Sequence, residues 1–192
     1  MDTADKLRYL SAPIAAFVVL PLLLMGQPQA QAWQTSTSTD SSAADYPIAF
    51  ERNTRGDTSE VYRTANGQIF LRVRLAPGFI KFSPSNCPTL QVDQRTPVHH
   101  YQTGPACALS TDSVEILIAE ISQNLAISLP LHRLMNGSKL AVRFVTSSGE
   151  YRESVFSLRN SKQALKTAIG DNVQVEPKAG SATPDATASG DA

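Results

Sequence analysis

The sequence has only two cysteines, a single tryptophan and no net charge, and no apolar stretch reaches the ~20 residues that span a bilayer. Each shortage excludes something. Two cysteines are too few for a zinc finger or a disulfide-dense miniprotein. Seventeen basic residues balance 17 acidic ones, which argues against a duplex nucleic-acid binder. There is no G-x-S-x-G nucleophile elbow, no phosphate loop and no dinucleotide fingerprint. No motif supplies a nucleophile with its base, so neither an enzyme nor a cofactor is expected. What is present is enough for one core: 42% of the 192 residues are apolar and only 18% are charged.

The first 32 residues read as a removable address. Lys6 and Arg8 sit in a polar start, offset by Asp2 and Asp5. Ala12 to Met25 is uncharged and apolar, interrupted by Pro13 and Pro21. Ala30-Gln31-Ala32 then places small residues at the positions a signal peptidase reads. Cleavage there would leave Trp33 first and the mature chain periplasmic or secreted, with no stable membrane span. No cysteine follows the apolar run, so no lipoprotein anchor is expected. In an oxidising compartment Cys87 and Cys107 are expected to form a structural disulfide, because their spacing is not that of a C-x-x-C redox pair.

Composition divides the rest. Residues 33–45 are rich in Ser, Thr and Ala and read as a flexible leader, and residues 171–192 read as a disordered tail. Residues 46–170 form one globular domain with 14 basic and 9 acidic residues, so the neutral total hides a mildly basic domain.

Periodicity within the domain is mostly two. Glu60–Thr64 and Gln68–Leu75 flank Asn66-Gly67, which predicts a hairpin with a type I′ turn. Ile69, Leu71, Val73 and Leu75 alternate with Phe70, Arg72 and Arg74. Phe79–Phe82 and Thr89–Val92 predict short strands, and residues 93–106 a loop stapled by the disulfide. Asp112 and Glu115 stand as N-cap and N3 partner ahead of Val114, Leu117, Ile118, Ile121 and Leu125, which predicts a helix from Ser113 to Leu125. The competing reading is a strand, since Val114, Ile116 and Ile118 also alternate. Lys139–Thr146 and Tyr151–Leu158 predict a second hairpin across Ser147-Ser148-Gly149, and Ser161–Ile169 a closing helix behind Asn160. The expected fold is mainly β: an antiparallel β-sandwich-like or β-rich α+β single domain with two short helices.

Leu71-Arg-Val-Arg-Leu-Ala-Pro-Gly78, Leu90-Gln-Val-Asp93, Cys107-Ala-Leu with the capped segment after it, Asn136-Gly-Ser-Lys-Leu-Ala-Val-Arg-Phe144 and Phe156-Ser-Leu-Arg-Asn-Ser-Lys-Gln-Ala-Leu165 together resemble the invasion-associated locus B family of bacterial envelope proteins. The resemblance runs from Leu71 to Gly170. It implies an extracytoplasmic, non-enzymatic β-rich domain, in a family linked in some pathogens to host-cell entry. The chain departs from the family pattern in two places. No cysteine precedes Cys87 although Trp33 is present, and Ser122–Met135 is longer than the family's connection.

Three side-chain sets invite a chemical reading. His99-His100 lacks further ligands beyond Asp93 and His132, so loop histidines are expected and no metal site. Glu150 and Glu153 are expected to pair with Arg143 or Arg152 across a hairpin. Arg63, Phe70, Arg72 and Arg74 are expected on one outer face, a candidate site for a small anionic ligand or glycan. The expected function is an interaction module of the bacterial envelope with an envelope or secreted protein partner, the alternative being an anionic-glycan binder on that face.

Overall fold

The computed structural model describes residues 32–38, 46–99 and 107–178. The expected signal segment up to residue 31, the leader at 39–45, His100 with residues 101–106, and the tail beyond residue 178 lie outside the described residues.

The first sheet is built from β1 (Gln34–Ser38), β2 (Tyr46–Arg52), β3 (Thr58–Arg63) and β4 (Gln68–Arg74), followed in the sheet by β8 (Ser113–Ser122), β9 (Leu125–Ile127) and β12 (Gln174–Glu176). The two-residue β7 (Ala108–Leu109) pairs with β8 as well. A second sheet has the order β11 (Tyr151–Ser157), β10 (Lys139–Val145), β5 (Thr89–Val92), β6 (Val98–His99). Helices α1 (Leu129–Asn136) and α2 (Ser161–Ile169) pack against one face of the first sheet. This is the β-rich α+β domain that the alternation predicts. Its core joins Val61, Ile69, Leu71 and Ile116 from the first sheet to Leu140 and Phe156 from the second, and Leu131, Leu134 and Leu165 from the helices.

Three of the hairpins, β2–β3, β3–β4 and β10–β11, share one loop. In each, a first residue donates its N–H to the carbonyl four residues on, and a glycine three residues on donates back: Asn53 with Gly56 and Asp57, Thr64 with Gly67 and Gln68, Thr146 with Gly149 and Glu150. All three glycines have φ near +85° to +87°. This is the three-residue loop in which a type I turn ends on a left-handed glycine. The type I′ turn expected at Asn66-Gly67 is therefore corrected, because only Gly67 is left-handed.

Residues 113–122 are a strand, not the expected helix. Val114, Ile116 and Ile118 are buried, and β8 aligns with β4 as Val73↔Val114, Leu71↔Ile116 and Arg72↔Glu115. The two cap residues have other partners: Asp112 accepts from Ser110 Oγ and Glu115 crosses to Arg72. A bulge next to Ile69 shifts the register so that Ala119 is buried beside Ile118, and this phase slip imitates a helical spacing.

The helical segment lies further on. Ser128 accepts from the Leu131 N–H and Pro130 stands in the first turn of α1, a start signal present in the sequence but not read there as a helix. Helix α2 has its expected bounds but not its expected cap. Asn160 is left-handed with no capping bond, while Ser161 Oγ donates to Leu134 O at 2.7 Å and ties α2 to α1. Of the expected strand Phe79–Phe82 only Phe82 pairs, as a bridge to Thr146.

Both presumed termini take part in the fold. In the leader, β1 pairs with β2 along its length, and Trp33 is 3% exposed. In the tail, β12 runs parallel to β9 and Val173 is buried. Short polar side chains in β1 conceal a strand because its stabilisation comes from backbone pairing and from Trp33 beside it.

The two sheets are joined by a side-chain seam. Glu51, Asn53 and Arg55 meet Ser157, Val155 and Glu153 in turn along the free edge of β11. Asn53 Nδ2 donates to the Val155 carbonyl at 3.3 Å and to Ser154 Oγ at 3.0 Å, and Arg55 donates to the Glu153 carbonyl. Trp33 Nε1 donates to the Ser157 carbonyl at 2.7 Å, and its backbone N–H to Arg159 O at 2.9 Å. Asp57 closes the cluster, accepting from Ser154 Oγ at 2.6 Å and from the Ala76 N–H at 2.9 Å. Asn53→Ala should lower stability by about 3 kcal/mol, because buried Ser154 and Asp57 and the carbonyl of Val155 would lose a partner at once. Urea unfolding measures this, and a loss below about 1 kcal/mol would mean that the seam is not energetically central.

Candidate functional site

The expected cationic face divides when the register is read. Rows across the first sheet pair Phe50↔Glu60↔Arg72↔Glu115 and Ile48↔Tyr62↔Phe70↔Leu117, with Arg52↔Thr58↔Arg74↔Ser113 at the end. Arg63 pairs with Ile69 and belongs to the opposite, core-facing side, where its guanidinium donates to Ile169 O at 3.0 Å. Phe70, Arg72 and Arg74 share the outer face, so the four residues do not form one site. A side-chain period of two decides this: Arg63 is one residue past the position that would have faced out.

Arg72 is the centre of what remains. Its Nε donates to Glu115 Oε1 at 2.6 Å, and its other nitrogens reach Glu60 at 3.4 Å and the Tyr62 hydroxyl at 3.2 Å. Tyr62 in turn donates to Glu115 at 2.8 Å, and the guanidinium carbon lies 4.7 Å from the Tyr62 ring centroid. Tyr62 stacks on Phe70 at 5.7 Å and tilts against Tyr46 at 5.2 Å. Burial alone would lower the Arg72 pKa, but the Glu115 hydrogen bond and neighbouring acidic groups more than offset it and hold the charge. Burial pushes the Tyr62 phenol up, assisted by its bond to Glu115. Arg74, half exposed, reaches Glu60 at 3.8 Å. Two carboxylates thus answer two guanidinium groups, and the outer face is aromatic with a locally neutral centre.

The other expected sets fall out as follows. Arg143 pairs with Glu153 at 2.7 Å across the hairpin, and Arg152 with Glu150 at 2.6 Å. Asp93 accepts from the Ser138 and Lys139 N–H groups at 3.0 Å each, so its carboxylate holds a turn. His132 lies half-buried on α1, and the side chains of His99 and His100 lie outside the described residues. Cys87 and Cys107 form the disulfide, closing a separation of 20 residues.

Sequence reading missed Glu51. It stands on β2 in alternation with Ala49, on the core side, and is 1% exposed with neither carboxylate oxygen hydrogen-bonded. Opposite it across the ladder, Ser59 Oγ is also buried and unpartnered. Burial pushes the Glu51 carboxyl up to about 7, and the Ser157 backbone pulls it down by less. In Ala49-Phe50-Glu51-Arg52 two apolar residues precede two charged ones, which gave no sign of which charge faces in.

The molecule is thus a β-rich α+β domain with one disulfide, and among the described residues no helix is long and apolar enough to cross a membrane. No protein-family profile and no curated protein matches the chain. Among solved structures the fold is similar to the crystal structure of invasion associated protein B from Bartonella henselae. The identity is 16%, the match covers 71% of this chain and 91% of that one, and the TM-score is 0.46.

Two outcomes follow from the charges. The folded-state value of Glu51 lies above the ordinary 4.5, so the native state holds this proton between pH 4.5 and about 7. Its contribution to stability is fullest below that window, declines as pH rises through it, and levels off above, a loss of about 3 kcal/mol. Urea unfolding at several pH values should show that decline for the natural chain relative to Glu51→Gln; parallel curves would refute it. Arg72→Ser should cost about 2 kcal/mol by leaving Glu60 and Glu115 facing each other without their cation. Arg74→Ser should stay within about 0.5 kcal/mol, and thermal melts compare the two.

Proposed function

We propose that this chain is an extracytoplasmic, non-enzymatic interaction module of the bacterial envelope. The observation that carries the reading is the Cys87–Cys107 disulfide. Such a bond persists in an oxidising compartment, and the address-like pattern of residues 1–32 would deliver the chain to one. The outer sheet face supports the interaction role. Tyr46, Ile48, Phe50, Phe70 and Leu117 are half-buried there around the neutral Arg72 network, while both helices occupy the opposite side. Aromatic side chains with arginine and little net charge are the composition of interface cores.

The alternative, a small anionic ligand or glycan at Arg63, Phe70, Arg72 and Arg74, is weakened by the division of that set. Arg63 faces the core and Arg72 is already met by two carboxylates, which leaves Phe70 for stacking and Arg74 for charge. Saturable binding of an acidic sugar, abolished by Arg74→Ser, would restore it.

The primary reading is tested in cells of the native host. Thiol alkylation without reduction should leave Cys87 and Cys107 unlabelled in a fraction outside the cytoplasm. Crosslinking through a C-terminal tag should recover one reproducible envelope or secreted protein. Recovery from the cytoplasm with free thiols, or as uncrosslinked monomer where a known complex is captured, would overturn it. Replacing both cysteines by serine should cost about 3 kcal/mol of stability.

A further inference from the structure

The chain leaving β4 carries the most exposed large apolar side chain among the described residues. Phe79 is 103% exposed, and the adjacent Ile80 is 47% exposed. Pro77 and Gly78 before them are exposed too. The segment is fastened on both sides of this tip. Leu75 donates its N–H to Asp112 O and Ala76 donates to Asp57 Oδ1, while Phe82 donates to Thr111 O and Lys81 accepts from the Ser147 N–H. The result is a fixed, convex projection carrying two neighbouring apolar groups into water. Single exposed apolar side chains are ordinary, and a held pair at a loop tip offers a small apolar surface for burial.

Cations surround the tip. Arg55 and Arg152 line the same hollow as Phe79 and Ile80, a space of about 410 Å³ floored by Leu75, Ala76 and Phe144. Lys81 follows Ile80 directly. Arg55 is 56% exposed and Arg152 48% exposed, so both heads reach water. Each has an acidic neighbour. Asp57 lies 3.4 Å from Arg55, but it is only 9% exposed and its oxygens already serve Ser154 and Ala76. Glu150 pairs with Arg152 at the surface, a contact of small worth that an outside anion can replace.

Shape selects among partners. A protein partner for a convex apolar tip must offer a fitted socket, whereas a bilayer interface receives any such wedge and supplies anions at the height of the flanking cations. We propose that the Phe79-Ile80 tip enters the interfacial layer of a bilayer, with Arg55, Arg152 and Lys81 meeting anionic phosphate headgroups. This deepens the envelope-module reading by naming a lipid surface as a contact, and it rests on that reading for which membrane is meant.

The test uses the oxidised chain purified from cells and vesicles of phosphatidylcholine alone or mixed with phosphatidylglycerol. The natural chain should sediment with the anionic vesicles, less at high salt, and weakly with the zwitterionic ones. Phe79→Ser combined with Ile80→Ser should weaken that binding about tenfold or more with the melting temperature unchanged, since both side chains are exposed. Phe79→Trp should bind as before and show a blue-shifted emission on binding, which a purely electrostatic contact would not produce. No binding by the natural chain, equal binding by the double variant, or equal binding to both vesicle types would overturn the proposal. None of those results bears on the fractionation and crosslinking outcome, and recovery from the cytoplasm would leave vesicle binding intact, so the two readings fail separately.

Discussion

A sheet edge leaves a row of backbone groups without partners, and in this fold β11 satisfies them with side chains from the other sheet. Asn53, Arg55 and Trp33 supply the donors, and Glu51 lies buried against Ser157 at the end of the row. The seam fixes where the second sheet sits on the first. It also explains why a polar cluster of Asn53, Asp57 and Ser154 is buried beside an apolar core: each polar atom that is hidden there answers another. Glu51 and Ser59, opposite each other across β2 and β3, are exceptions, since neither the carboxyl nor the hydroxyl is hydrogen-bonded. The same contacts hold the 53–57 turn against Ala76, and through Ala76 they set the start of the projecting loop.

Patterns that depend on neighbours in sequence were legible, and patterns that depend on distant backbone were not. The alternation in Gln68–Arg74 and Lys139–Val145 describes those strands because each has one buried face. The loops at Asn66-Gly67 and Ser147-Ser148-Gly149 were legible from glycine, although the first is not of the type expected, and the Asn53–Asp57 loop went unread. For β8 two periodicities coincided, and the strand prevailed because its apolar residues complete a ladder with β4, a partner 40 residues away that local reading cannot weigh. Strands β1 and β12 have almost no apolar signature and exist because a neighbouring edge was available. The Ser128-Leu129-Pro130 start of α1 was present in the sequence and was obscured by the apolar residues on both sides of it.

Charge placement behaves in the same way. The cross-strand partners of Arg143 and Glu153 could be foreseen from the hairpin, and they are found together. The grouping of Arg63 with Arg72 and Arg74 could not survive, because a single residue of register exchanges the two faces of a strand. Arg72 then looks less like a waiting receptor than like the keystone of an aromatic face, since Tyr62, Glu60 and Glu115 occupy its donors. The disulfide belongs to a different level of legibility. Its pairing followed from there being only two cysteines in the chain.

A backbone ladder is indifferent to side-chain identity, since nearly every residue carries the same amide. The junction at β11 is not indifferent. It depends on an indole, an amide and a guanidinium arriving at alternate positions, with a carboxylate at Asp57 to gather them. Ancestry in this fold should therefore be written more durably in the spacing Glu51-x-Asn53-x-Arg55-x-Asp57, with a tryptophan well ahead of it, than in the strands themselves. Those strands can drift among apolar residues, while a change at a junction position leaves a backbone group on the β11 edge without its partner. A search keyed to that polar spacing would look for relatives in the place where substitution is least free.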